Sequence, residues 1–291
     1  MNIGKKYIWF RRWLKSRAMQ KHLHNSAKNS IAMGTTDQKY CENEIVVSLT
    51  TYGKRFERVY LAIESIMQQS LKPNRIVLWL DDDEQGRPLP EMLMKQQSRG
   101  LEIRYAKDDI KAYKKLIPSL HEFPKAAIIT IDDDVWYRPW LVENMIKAHV
   151  ETPNLILAAR MRRLRLGPDG RLGKYMGLRY TRFDVSPLNF PTGVGMVLYP
   201  PKAFGKEIFN QDVFTKICPY ADDIWYKAMA LLNGTDSKKI PTRDIKGNDY
   251  IDDPSAYGSG LYELFNRSQN DSQMAAVFDK YDLYKNLAKK S

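Results

Sequence analysis

The 291-residue chain holds only two cysteines, Cys41 and Cys218, and four histidines. The cysteines lie far apart and neither belongs to a CxxC pair, so neither a thiolate zinc site nor a disulfide is expected, as suits a reducing compartment. His22 and His24 are too isolated to argue for zinc, and no histidine follows His149. There is no run of about 18 apolar residues to span a bilayer. The N-terminus lacks the unbroken apolar core of a secretory signal, so a cytoplasmic location is expected.

A composition of 43% hydrophobic, 27% charged and 11% aromatic residues supports one sizeable folded core and excludes wholesale disorder. The net charge of +12 is unevenly spread. Residues 1–40 carry +8, the stretch from Arg160 to Arg182 carries +7, and everything else sums to −3. Two basic patches therefore hold the whole excess.

The first patch mixes cations with aromatics. As a helix it sets Ile3, Tyr7, Phe10, Leu14 and Ala18 on one face, with Lys5, Arg11, Arg12 and Lys15 mostly elsewhere. Such a helix suits an anionic membrane surface, each basic residue adding about 1 kcal/mol near the headgroups. A basic tail packed on its own domain is the alternative, and Ile8, Trp9 and Met19 fall outside the stripe. Residues 25–40 read as a polar linker.

The ordered pattern starts with a β-branched run over 44–50. Val59, Ala62, Ile63, Ile66 and Met67 then form the apolar face of a helix, and a second strand over 75–80 closes on Asp81, Asp82 and Asp83. Strand, helix, strand implies a parallel sheet. Apolar runs at 101–105 and 126–131, with a helix between them, continue the alternation, and 155–159 and 195–199 read as later strands. The expected class is α/β, with ligands at the carboxyl ends of the strands.

The run 127–131 leads straight into Asp132, Asp133 and Asp134, so a buried strand delivers three carboxylates to the sheet edge. Their mutual repulsion is costly unless a cation sits among them, and hard oxygen ligands point to Mg²⁺ or Mn²⁺ with a diphosphate opposite. The bland alternative is a solvated acidic turn ahead of a helix starting near Pro139.

These motifs, in order, resemble the nucleotide-binding half of GT-A glycosyltransferases: Val46 to Tyr52, Glu64 to Pro73, Ile128 to Trp136, Pro191 to Met196, and Ala221 to Trp225. The resemblance spans about 44–235 and is nearest to small bacterial enzymes that build capsule, O-antigen or lipopolysaccharide glycans. It implies a GT-A (Rossmann-like), mixed but mostly parallel sheet flanked by helices, with the catalytic domain over 41–240, a basic helical extension over 1–40, and a C-terminal loop and helix over 241–291 completing the site. It further implies a nucleotide-sugar donor, UDP-linked by preference, a divalent metal (Mn²⁺ or Mg²⁺), and a glycan or lipid-linked acceptor at the inner face of the membrane.

By that resemblance Thr50, Tyr52 and Arg55 lie near the base, ribose and phosphate, and Asp81 or Asp82 reads the base edge. Lys114 and Lys115 fall near the diphosphate. Asp134 is the foremost metal ligand, Asp132 serves metal, ribose or water, and Asp133 completes the cluster. Gly193 lets backbone approach the donor sugar or acceptor. Asp222 and Asp223 open a helix, where a carboxylate is expected to take the proton of an attacking hydroxyl. Asp223 is preferred, and an N-cap role for either is the alternative. The family often adds a late histidine ligand, absent here, so Asp249, Asp252 or Asp253 replaces it or the diphosphate completes coordination. The stretch 247–260 fits a loop closing over donor, or a linker.

Two rivals come from other classes. An aspartyl-nucleophile phosphatase shares a strand ending in Asp132, Asp133 and Asp134, but its nucleophile strand opens the domain, whereas strands precede this one. A non-catalytic nucleic-acid or membrane-binding protein explains the basic patches but leaves the carboxylates unexplained, so nucleic acid is not expected as a partner. The run Arg160, Arg162, Arg163, Arg165, Arg171 and Arg179 either borders an anionic acceptor or forms a solvated basic face.

Overall fold

The computed structural model describes residues 3–180, 183–244, 246, 248–256 and 267–288; the side chains of residues 3–12, 180, 267 and 288 lie outside that description. In chain order the strands are β1 (Ile45–Thr50), β2 (Arg75–Asp81), β3 (Leu101–Ala106), β4 (Ala127–Thr130), β5 (Val135–Tyr137), β6 (Ile156–Ala158), β7 (Met161–Arg163), β8 (Arg179–Tyr180), β9 (Asn189–Pro191), β10 (Val197–Tyr199), β11 (Ser237–Lys239) and β12 (Tyr250–Asp252). The helices are α1 (Ile3–Asn29), α2 (Tyr60–Met67), α3 (Glu91–Gln97), α4 (Ile117–Glu122), α5 (Leu141–Glu151), α6 (Gln211–Ile217), α7 (Asp222–Leu232), α8 (Arg267–Lys280) and α9 (Tyr284–Ala288).

The β-branched runs become the centre of a seven-stranded sheet of order β11-β6-β10-β4-β1-β2-β3. Every neighbouring pair is parallel except those of β10, which runs antiparallel to both β4 and β6. The fold is thus α/β and Rossmann-like, a mixed and mostly parallel sheet flanked by helices. Alternation along the strands feeds two cores. Ile45, Val47 and Leu49 join Ile129, Val59, Ile63, Ile66, Leu141 and Met145 on the α2/α5 face, whereas Val46, Val77 and Ile128 join Trp225, Met229, Val277 and Phe278 on the α7/α8 face.

β2 lies on one side of β1 and β4 on the other, so the chain reverses its winding direction at β1. A crevice opens there beyond the carboxyl ends of the strands, where open α/β sheets bind ligands.

The expected polar linker at 25–40 is instead docked. Leu23 and Ala27 are fully buried, Leu23 packing with Leu61 and Trp136. Ser26 donates to Glu64 at 2.7 Å, and Glu64 is locked by Arg99 at 2.8 Å in a buried pair. The small and polar residues misled because their partners come from α2 and α3, out of reach of local pattern. The membrane-facing stripe expected at 1–20 rests on side chains of which most lie outside the described residues. Among the described residues no helix is long and apolar enough to cross a membrane.

Candidate active site

The crevice is a cavity of about 780 Å³ lined from both ends of the chain. β1 runs into Thr50, Thr51 and Tyr52, β2 delivers Asp81, β4 delivers Asp132, Asp133 and Asp134, and the start of α7 delivers Asp222 and Asp223. Gly193 lines it between the two acidic clusters. Sequence separations above 170 residues thus collapse onto one sheet edge, and of the residues expected at the nucleotide, the aspartate triplet, the glycine turn and the helix-start pair, all but Asp82 border it.

Asp82 is the exception because β2 ends at Asp81 and the chain turns into a 3₁₀ segment, which leaves Asp82 exposed. Of the two candidates for reading a base edge, only Asp81 faces the cavity. Its carboxylate accepts a short bond from the buried ammonium of Lys114, which also meets Asp109 at 3.0 Å.

The aspartate triplet is held from several directions. Asp133 accepts from the Thr51 hydroxyl at 2.6 Å and from Arg55 Nη1 at 2.9 Å, and the same Nη1 lies 3.0 Å from Asp134 Oδ2. Tyr52 stands beside this guanidinium, 5.6 Å from ring centroid to Cζ. The amide of Asp132 donates to the Tyr137 hydroxyl at 2.9 Å, which in turn donates to the Val194 carbonyl at 3.4 Å. The acidic loop is thereby tied to the glycine turn.

Electrostatics follow from crowding. Burial, then Asp133 and Asp132, push the Asp134 carboxyl up to about 7. Burial also raises Asp133 against the opposing pull of Arg55 and Thr51. Arg55 is itself raised, since the attraction of Asp133 and Asp134 outweighs its burial.

Lys115 links the two acidic clusters. Its Nζ lies 2.9 Å from Asp132 and 3.0 Å from Asp222, while the lysine itself is buried. Burial opposes its charge, yet Asp132, Asp222 and Asp223 outweigh that and hold it well above the usual lysine range. Asp223 is differently situated. Its Oδ2 accepts the Gly193 amide at 2.9 Å, and its buried Oδ1 has no hydrogen-bond partner. Burial and the neighbouring Asp222 push it up to about 7, against the pull of Lys115.

Gly193 is required by space. A Cβ there would sit 2.8 Å from Asp223 Oδ1 and 2.9 Å from Lys115 Nζ. Three residues on, buried Met196 closes the turn at φ +76°, a strained backbone of the kind that clusters at functional sites.

Among the described residues no three His, Cys, Asp or Glu side chains are arranged to hold a metal by themselves. Asp249, Asp252 and Asp253 do not border the cavity. Asp249 accepts from Trp140 Nε1 at 3.0 Å and from the amides of Arg243 and Asp244, and Asp253 accepts a two-pronged bond from Arg58. Both pin the segment 248–256 as β12 against β5; of the loop expected over 247–260, positions 247 and 257–260 lie outside the described residues.

The donor chemistry that remains is two carboxylates, Asp132 and Asp134, in a cluster whose repulsion is relieved by the cations Arg55 and Lys115 and by the Thr51 hydroxyl. Such a set fits a hard divalent ion whose other ligands are phosphate and water oxygens. It does not fit a cation caged by protein alone.

The second wall was only partly legible. The expected basic face separates: Arg160 and Arg162 line the cavity with Tyr175, Met176 and Leu178, whereas Arg163 pairs with Asp184 at 2.6 Å and Arg171 lies 3.5 Å from Asp279. The cavity members hang on a three-stranded antiparallel sheet, β8-β7-β9, which no periodicity had signalled in strands this short. Tyr220 and Asn270 also line the cavity and carried no sequence signal, and Tyr250 lines it from the stretch expected to close over donor.

No protein-family model and no curated protein matches the chain. Among solved structures, the inositol-1-phosphate CTP transferase from T. maritima is 13% identical, with 87% of this chain and 98% of that chain covered and a TM-score of 0.44. A mannosyltransferase from Pyrobaculum calidifontis, in complex with GDP-Man and Mn2+, is 10% identical, with 96% and 82% covered and a TM-score of 0.47. Likenesses of this degree carry nothing about the chemistry of the chain, which rests on its own cavity.

Proposed function

We propose that the chain is a metal-assisted glycosyltransferase that moves a sugar from a nucleotide-diphosphate donor, UDP-linked by preference, to a glycan or lipid-linked acceptor in bacterial surface polysaccharide synthesis. One observation carries the proposal: a single cavity at the carboxyl edge of the sheet joins a strand-end aspartate triplet to a helix-start aspartate pair through buried Lys115, at 2.9 and 3.0 Å. An aspartyl-nucleophile phosphatase opens its domain with the nucleophile strand, whereas β1, β2 and β3 precede β4 here. A passive anion binder has no use for either acidic cluster.

The residues divide the work by position. Tyr52 offers a ring to stack on the base, Asp81 an acceptor for a base N–H, and Thr50 and Arg55 polar contacts to ribose and phosphate. Asp134 and Asp132 would hold the divalent ion, which supplies positive charge to the departing diphosphate when bound. Asp223, with one oxygen free of hydrogen bonds, takes the proton of the attacking hydroxyl. The hydroxyl oxygen bonds to the anomeric carbon as the bond to the diphosphate oxygen breaks, and the leaving group keeps that electron pair. A single displacement of this kind inverts the anomeric centre. Lys115 keeps Asp222 and Asp132 in place by ion pairs, whereas Asp223 Oδ1, among the described residues, has neither an ion pair nor a hydrogen bond and is left to take the proton.

The test is a donor-hydrolysis screen across nucleotide sugars, with and without Mn²⁺, on wild type and Asp134→Ala. Mn²⁺-dependent release of nucleoside diphosphate, lost in the variant, is expected. Phosphate release from simple monoesters with no turnover of nucleotide sugars would replace this function with a phosphatase.

A further inference from the structure

The two walls of the cavity differ in how their cations are matched. On the acidic wall three are paired with carboxylates, Arg55 with Asp133 and Asp134, Lys114 with Asp81 and Asp109, and Lys115 with Asp132 and Asp222, while Lys111 lies over the Tyr220 ring at 5.3 Å. On the opposite wall, among the described residues, no carboxylate lies within ion-pairing distance of Arg160. Its Nη1 donates to the Thr192 hydroxyl at 2.8 Å, which fixes the guanidinium, while its Nε is buried and has no acceptor. Arg162 lines the cavity too, with its Nη1 donating to the Leu178 carbonyl at 3.4 Å.

A buried guanidinium N–H without an acceptor is costly, and a fixed fork of donors suits the oxygens of phosphate or carboxylate. Thr192, which anchors Arg160, directly precedes Gly193, whose amide anchors Asp223. The guanidinium is therefore anchored one residue away from the turn that holds the proposed base. Tyr175, Met176 and Leu178 line the cavity next to it and offer an apolar flank.

We infer that Arg160 and Arg162 form an anion subsite for the acceptor, so that the accepting molecule carries a phosphate or carboxylate beside an apolar or sugar body. This rests on the glycosyltransferase function proposed above. It narrows the acceptor to an acidic class and assigns a task to two arginines that the donor chemistry leaves unused.

Calorimetry on the full chain, with octyl phosphate, octanoate, octyl β-glucoside and inorganic phosphate kept below any micelle concentration, tests it with and without saturating UDP and Mn²⁺. Octyl phosphate or octanoate is expected to bind wild type roughly tenfold or more tightly than octyl β-glucoside, the gain from one charge-assisted hydrogen bond, and to do so while UDP is bound. The preference should vanish in the Arg160→Gln, Arg162→Gln double variant, survive in part in Arg160→Lys, and persist in Arg165→Gln, whose arginine is exposed outside the cavity. Retention in Arg160→Lys separates loss of charge from loss of fold.

Equal affinity for the neutral and anionic probes, or a preference unchanged in the double variant, overturns the subsite. Displacement of octyl phosphate by UDP overturns it too, by giving the arginines to the donor diphosphate. Inorganic phosphate binding as tightly as octyl phosphate marks a free-ion site and removes the acceptor. If no nucleoside diphosphate binds wild type with Mn²⁺, the glycosyltransferase function falls, and the nucleotide-free arm still reports whether the arginines select an anion.

Discussion

Replacing Asp223 by Asn should make the protein more stable and less active, and the size of the first effect follows from its surroundings. Asn keeps the shape and the oxygen that accepts the Gly193 amide at 2.9 Å, removes the charge, and puts an NH2 group where the partnerless Oδ1 stood. Burial and Asp222 raise the carboxyl from an ordinary 3.8 to about 7. Below pH 3.8 the group is protonated whether the chain is folded or not, and contributes nothing to the pH dependence. Between 3.8 and about 7 the unfolded chain releases the proton while the folded chain keeps it, so stability is lost as pH rises and the loss is complete above about 7. At about 1.4 kcal/mol per pH unit the ceiling is about 4 kcal/mol, and water reaching the group through the cavity mouth brings the expectation to about 2–4 kcal/mol. Urea unfolding of wild type and variant at pH 4 and pH 8 measures it: near-equal stabilities at pH 4, and a variant ahead by that margin at pH 8. Nucleoside diphosphate release should fall by about 10²–10⁴-fold in the variant, and the wild-type rate should climb to a plateau above about pH 7 as the base deprotonates. A variant less stable than wild type at pH 8, or a wild-type rate that falls through neutrality, would refute the electrostatic account of this pair.

Gly193→Ala should cost about 1–3 kcal/mol and at least tenfold in turnover, because the new methyl meets Asp223 and Lys115 at 2.8 and 2.9 Å; thermal unfolding and donor hydrolysis measure both. Lys115→Met should destabilise by about 3–5 kcal/mol by leaving Asp132 and Asp222 without their cation, as urea titrations measure. Glu64→Gln, far from the cavity, should cost a similar amount through the buried Arg99 pair while leaving turnover per folded molecule unchanged, which active-site titration against soluble protein checks. Chelation should abolish nucleotide affinity in wild type and change little in Asp134→Ala, as read by calorimetry with and without Mn²⁺.

The strands that carry the site were legible because burial on both faces of a parallel sheet leaves a continuous apolar signature. The expected strands at 44–50, 75–80 and 126–131 correspond to β1, β2 and β4 within a residue at each end. Local order likewise put the aspartate triplet at a strand end and Asp222 and Asp223 at a helix start, since both facts depend on residues within a few positions. Tertiary structure alone decided which charges meet. Lys115 standing between Asp132 and Asp222, Asp81 rather than Asp82 facing the cavity, the diversion of Asp249 and Asp253 into pinning a loop, and the division of one basic run into two cavity arginines and several surface ones all depend on contacts between segments tens to hundreds of residues apart. Periodicity records which side of an element is buried; it does not record what lies opposite, and the electrostatics of this cavity are set by what lies opposite.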